Sequence, residues 1–237
     1  RQRQQQSPPG GIEEIATNGN RAEAIEPLSF AELQAGMREP GQGRALLSSF
    51  AGPDEGFATR WSEGPLSLAG GAVLPEPIAA CLRQYQRDGV RWLYERLFVE
   101  NRGCLLADEM GLGKTVQVAC CLLAGLYAQP AGGEGGGRSP GPVLVLCPPT
   151  LIQNWARELR RWGPFALEVL PPSGAGASTG RLRALQRVEA GLADVLIASR
   201  GLLSREDAGN GLEGLLTRSW GCVVVDEVHQ ARNPKGQ

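Results

Sequence analysis

The chain has 237 residues, with 24 Lys+Arg against 25 Asp+Glu, one His, 6 Cys, 33 Gly and 17 Pro. A balance so near neutrality excludes a wholly basic nucleic-acid tail and a charge-driven disordered chain, while 42% hydrophobic residues suffice for a sizeable core. No apolar stretch approaches the roughly 18–20 residues of a membrane span, and the opening Arg1-Gln2-Arg3-Gln4-Gln5-Gln6-Ser7-Pro8-Pro9 lacks the apolar centre of a secretory signal. An intracellular protein without a membrane partner is expected. The cysteines agree, since Cys81, Cys104, Cys120, Cys121, Cys147 and Cys222 stand in or beside apolar runs with no CxxC pair, the pattern of buried free thiols. Starting on Arg rather than Met, the sequence is expected to be a piece of something longer.

Residues 1–77 carry six Arg and no Lys against ten acidic residues, a net of −4, and the remainder carries 18 basic and 15 acidic residues, a net of +3. The first part holds one short helix signal, a Ser29-x-x-Glu32 capping box ahead of Leu33. Otherwise it reads as an acidic, Gly/Pro-rich, largely disordered arm or linker. From residue 78 the texture changes. Ile78 to Leu82, Val90, Trp92-Leu93 and Leu97-Phe98 recur at helical spacing, predicting one or two amphipathic helices.

Four short apolar runs follow: Gly103-Cys104-Leu105-Leu106-Ala107, Val143-Leu144-Val145-Leu146-Cys147, Val195-Leu196-Ile197-Ala198 and Cys222-Val223-Val224-Val225. Helical patterning separates them, and buried strands joined by helical crossovers make a parallel α/β sheet with helices on both faces. The Gly/Pro-rich tracts Gln129 to Pro142 and Pro171 to Gly180 fall between elements, where surface loops are expected. The first of them is long for a compact lobe and is expected to be disordered.

The first run leads into Asp108-Glu109-Met110-Gly111-Leu112-Gly113-Lys114-Thr115, then a helical register of Val116, Ala119, Leu122 and Leu123. This is a phosphate-binding loop, the Walker A motif, between strand and helix. Gly111 and Gly113 let backbone N–H groups approach phosphate oxygens, and the helix N-terminus adds partial positive charge. Lys114 can reach the β/γ-phosphates and Thr115 can ligate Mg²⁺. The strict pattern has Gly where Asp108 stands. The last run ends in Asp226-Glu227-Val228-His229, two carboxylates at the C-terminal end of a strand, the edge at which open parallel sheets bind ligands. Asp226 is placed to hold Mg²⁺, and Glu227 to orient and deprotonate an attacking water.

With Leu82-Arg83-Gln84-Tyr85-Gln86-Arg87-Asp88-Gly89-Val90-Arg91-Trp92-Leu93, the DEMGLGKT loop, CPPTLIQNWARELRRW from Cys147 to Trp162 and DEVHQARNP from Asp226 to Pro234, the sequence resembles Swi/Snf-type helicase-like ATPases of superfamily two. The order and spacing agree throughout residues 78–237, and the branch most similar is the excision-repair, Cockayne-syndrome-B-like one. The resemblance implies the first RecA-like lobe, a helicase ATP-binding domain cut after its DEVH box. It implies an ATPase that moves on duplex DNA in chromatin remodelling or repair, located in the nucleus, with ATP and Mg²⁺ as cofactors and chromatin, repair or transcription proteins as partners.

Residue by residue, it places Gln86 against adenine, with Arg83 and Arg87 solvated or facing phosphate. Pro148, Thr150 and Gln153 lie on the segment that grips the DNA backbone, Ser199 keeps a hydroxyl contact to phosphate, and Arg200 supplies charge where relatives have an aromatic. Trp155 and Trp162 read as core. His229 couples the nucleotide site to a second RecA-like lobe expected in cis. That lobe brings arginines worth roughly 10³–10⁵ in turnover in related enzymes, so these 237 residues alone are expected to bind ATP and hydrolyse it weakly. The competing readings are an RNA helicase of the same superfamily and a non-catalytic nucleotide-binding scaffold.

Overall fold

The computed structural model describes residue 47 and residues 50–53, 60–128, 141–174, 176–203, 212, 215 and 218–228. The helix expected after Ser29, residues 129–140 of the long Gly/Pro tract, and His229 with the residues that follow it lie outside the described residues.

Three of the four apolar runs are strands. β3 (Val143–Cys147), β5 (Val195–Ser199) and β6 (Cys222–Val225) join β4 (Leu167–Val169) in a parallel sheet of order β4-β5-β3-β6. Side chains alternate across it as the period of two requires. Val143, Val145, Cys147, Val195 and Ile197 enter one buried cluster, and Leu144, Leu146, Leu196 and Ala198 another on the opposite face. Each of the Val, Leu and Ile side chains contributes about 1.5–3 kcal/mol by leaving water. The first face is covered by α3 (Lys114–Tyr127) and α4 (Ile152–Trp162), and the second by α5 (Ala177–Glu189). The expected layering, with helices on both faces, is therefore present.

In α4 the spacing of Trp155, Ala156, Leu159 and Trp162 buries one stripe, while Arg157 and Arg160 stay in water. The helix follows a 3-10 turn at Pro149–Leu151 and stops at Gly163. α3 is apolar nearly all round because it lies against α4 on one side and α2 (Gln84–Tyr94) on the other. The helix α5 begins inside the tract expected to be loop through Gly180, so that tract closes earlier, at Ala177.

Gly103 to Ala107 does not form the expected first strand. These residues have no ladder partner among the described residues, and Leu105 is 67% exposed. An apolar run becomes a strand only where a neighbour takes up its N–H and C=O groups, and β6 pairs here with β3 alone. On the N-terminal side, residues read from sequence as arm carry structure. β1 (Leu66–Ser67) and β2 (Val73–Leu74) pair antiparallel, α1 (Glu76–Ala79) follows, and Leu66, Leu74 and Ile78 are fully buried in the same core as α2 and α3.

Among the described residues no helix is long and apolar enough to cross a membrane. The six cysteines are free thiols, with Cys120, Cys121 and Cys147 buried. Burial pushes Cys120 and Cys121 well above the ordinary thiol value, and it raises Cys147 and Cys222 from 9.0 to about 11. At Cys147 the nearby Asp226 carboxylate adds to the rise and Arg200 opposes it. The folded chain thus keeps thiols neutral that an unfolded chain ionises. Their stabilisation is complete below pH 9.0 and is lost as pH rises from there through about 11. Urea unfolding should show a lower midpoint at about pH 10.5 than at about pH 8. An equal midpoint would contradict the burial of these thiols.

Candidate nucleotide site

The loop ahead of α3 is shaped by two left-handed glycines, Gly111 at φ 87° and Gly113 at φ 77°. Gly113 is also the place of closest approach, since a Cβ there would stand 2.4 Å from Gln86 Nε2. Outside glycine, only Asn101 and Glu227 among the described residues have positive φ, so Asp108 fills a place where the strict motif has Gly without left-handed backbone. Its carboxylate instead accepts a hydrogen bond from Gln117 Nε2 at 3.0 Å. Lys114, the first residue of α3, folds back into the loop and donates to the carbonyls of Asp108 at 2.7 Å and Glu109 at 3.1 Å. The loop therefore curls round a cation, with Thr115 half-buried beside it and Met110 and Leu112 exposed on its rim.

Gln86, in the first turn of α2, is brought onto this loop. Its Oε1 accepts the Arg83 N–H at 3.0 Å, and its Nε2 donates to the Leu112 carbonyl at 3.2 Å. Arg83 stays exposed, its guanidinium 4.4 Å from the centre of the Trp61 ring. Arg87 is neither solvated nor turned to phosphate. At 7% exposure it donates to Ser62 Oγ at 2.8 Å, the Ala79 carbonyl at 2.9 Å and the Pro65 carbonyl at 3.1 Å. A cleft of about 520 Å³ adjoins the loop, lined by Tyr85, Asp88 and Trp92 of α2 with Leu105, Asp108 and Gln117.

The acidic pair sits at the end of β6. The Asp226 N–H extends the sheet by donating to the Leu146 carbonyl at 2.8 Å. Its Oδ1 accepts the Glu227 N–H at 2.8 Å, and its Oδ2 accepts the indole N–H of Trp155 at 2.8 Å. Glu227 turns left-handed at φ 51°, a conformation that costs a non-glycine residue about 1–2 kcal/mol. The Glu227 carbonyl accepts a hydrogen bond from Arg200 Nη1 at 3.0 Å.

Of the residues expected to meet nucleic acid, Thr150 and Gln153 are exposed and Pro148 half-buried, all just beyond the end of β3. Ser199 is only 8% exposed, and its Oγ accepts the Gly201 N–H at 3.3 Å, which turns the hydroxyl inward. Two partners of the acids escaped the reading of the sequence. Trp155 is core, as expected, yet its N–H serves Asp226; Arg200, expected to supply charge where relatives have an aromatic, faces the acid turn. A signal for the first did exist, because a buried indole N–H needs an acceptor.

The SNF2-related domain family matches residues 85–237, and the chain belongs to that family. It is 33% identical over 220 residues to the DNA excision repair protein CSB of Oryza sativa subsp. japonica, covering 80% of this chain and 17% of that one. It is 31% identical over 229 residues to Protein CHROMATIN REMODELING 8 of Arabidopsis thaliana, covering 84% of this chain and 18% of that one. The chain thus spans less than a fifth of the length of either. Among solved structures, a SWI2/SNF2 ATPase core of Sulfolobus solfataricus in complex with dsDNA is 22% identical at a TM-score of 0.48, covering 74% of this chain and 30% of that one.

Gly113→Ala should force a left-handed alanine and displace Gln86 from the Leu112 carbonyl. At about 1–2 kcal/mol and roughly 2–4 °C per kcal/mol for a chain of this size, the expected loss in Tm is at least about 2 °C by scanning fluorimetry. An unchanged Tm would mean that the loop does not hold this geometry.

Proposed function

We propose that the chain is the ATP-binding lobe of a DNA-dependent ATPase that couples hydrolysis to movement on duplex DNA in chromatin remodelling or repair. The observation that carries the reading is the pairing of two built features in one chain: a glycine loop closed round Lys114, and an acidic turn at a strand end whose first carboxylate is held on both oxygens. Relatives named for DNA excision repair and chromatin remodelling support the biological setting, and a nuclear location follows from it.

The residues fit a nucleotide and its metal. The curled loop and the first turn of α3 offer backbone N–H groups to phosphate, and Lys114 exchanges two carbonyl contacts for phosphate oxygens. Thr115 and Asp226 offer hard oxygen donors of the kind magnesium takes, and the bound ion neutralises charge on the terminal phosphates. Asp108, Glu109, Met110, Gly111, Leu112 and Gly113 form the cradle, and Gln86 on its rim reads the adenine edge. Glu227 orients the attacking water and takes its proton. Pro148, Thr150 and Gln153 meet the DNA backbone through backbone and uncharged polar groups, while Ser199 shapes the neighbouring loop. His229 couples this lobe to a second RecA-like lobe carrying the arginines that complete the site. The proposed domain takes in residues 78–237 together with the β1-β2 hairpin, which shares its core.

The test is ATP hydrolysis by the protein expressed from its complete reading frame, without nucleic acid, with duplex DNA and with RNA. Duplex DNA should stimulate turnover, and Lys114→Ala should abolish it. Glu227→Gln should lower turnover by roughly 10²–10⁴-fold with ATP still bound. Stimulation by RNA alone would favour an RNA helicase, and ATP binding without hydrolysis under any condition would favour a scaffold.

A further inference from the structure

We propose that Trp155 and Arg200 are positioning residues that hold the Asp226–Glu227 turn from the helix beyond β3 and the short turn beyond β5, so that a shift of either is felt at the acids. The inference rests on the ATPase reading above.

The two tryptophans of α4 make the point by contrast. Trp162 is buried and satisfies its N–H locally, on Glu158 of its own helix at 3.2 Å. Trp155 is equally buried, at 3% exposure, but its N–H crosses to Asp226 on another strand. Packing alone would be served by a phenylalanine, which brings no donor needing a partner. With Oδ1 on the Glu227 N–H and Oδ2 on the indole, the Asp226 carboxylate is fixed in orientation. A ligand-bearing carboxylate so oriented is what an outer partner provides at a metal site, and loss of such a partner typically costs 10–100-fold in affinity or activity.

Arg200 acts on the second acid. It opens the short helical turn Arg200–Leu203 that follows β5, and its guanidinium reaches the carbonyl of Glu227, the residue held left-handed. A backbone in that conformation persists only where its surroundings over-determine it. The Asp226 N–H fastens one end of the turn to Leu146, and Arg200 fastens the other. Each acid is thereby tied to a different element: Asp226 to α4, which follows Thr150 and carries Gln153, and Glu227 to the turn behind Ser199.

Two measurements test this. In the complete protein, Trp155→Phe keeps an aromatic ring and removes the donor, and Arg200→Met keeps the stem and removes the charge. Each should lower kcat with duplex DNA by about 10–100-fold while KM for ATP stays within about threefold. In the ¹⁵N-labelled 237-residue chain, the indole proton of Trp155, assigned as the resonance missing from Trp155→Phe, should lie downfield and move upfield in Asp226→Asn. Wild-type kcat in either variant, a rise in KM that accounts for the loss, or an indole resonance indifferent to Asp226→Asn would overturn the proposal. Absence of hydrolysis by the wild type would instead sink the ATPase reading, and the indole resonance reports the hydrogen bond in either case.

Discussion

The site depends on the position of β3, a strand paired on both edges and buried on both faces. Its register sets Cys147 opposite Ser199 on β5 and Leu146 opposite Val225 on β6, so the three strands end within a residue of one another. Parallel strands that end together release their following loops on the same edge. Pro148, Arg200 and Asp226 are those first loop residues, and their chemistry can meet because the ladder brings them there. The five residues of β3 are Val, Leu, Val, Leu and Cys, none with more than 7% exposure, so the ladder is protected from water along its length. A slip of one residue would send Val145 and Cys147 into the face packed by α5 and would separate the loop ends.

The glycine loop depends on a different support. No strand of the described sheet anchors the residues before it, and its shape is held by four side-chain hydrogen bonds: Lys114 on two carbonyls, Gln86 on a third, and Gln117 on the Asp108 carboxylate. The ammonium serves as a template around which carbonyl dipoles gather. Gln86 matters here for shape, because the close approach of Gly113 exists only with its amide in place.

The parts of this arrangement that were legible in the sequence are those that repeat a local rule. The unbroken apolar runs of β3 and β5, the apolar stripe of α4 and the glycines of the loop follow from strand burial, helical periodicity and backbone sterics, and the residues themselves announce them. Gly103 to Ala107 misled because an apolar run carries no information about whether a partner strand lies beside it. Residues 60–77 misled for the opposite reason: Leu66 and Leu74 are too sparse among Gly, Pro and Ser to show a period, yet both are fully buried. Trp155 and Arg200 were hidden by distance, since their acceptors lie 71 and 27 positions away and no spacing rule connects them.

Arg87 shows how far the site's supports extend. It follows Gln86 directly, and neighbours on a helix point about 100° apart, so α2 sends one side chain to the glycine loop and the next into the N-terminal hairpin. Burial lowers the Arg87 pKa, a sign of what desolvation costs it, yet among the described residues its acceptors are a hydroxyl and two carbonyls, with no carboxylate. Such a fork is held by shape, because three acceptors must converge on one planar group. They come from Ser62, Pro65 and Ala79, on either side of the β1-β2 hairpin. The hairpin is thereby fastened to the helix whose first turn carries Gln86.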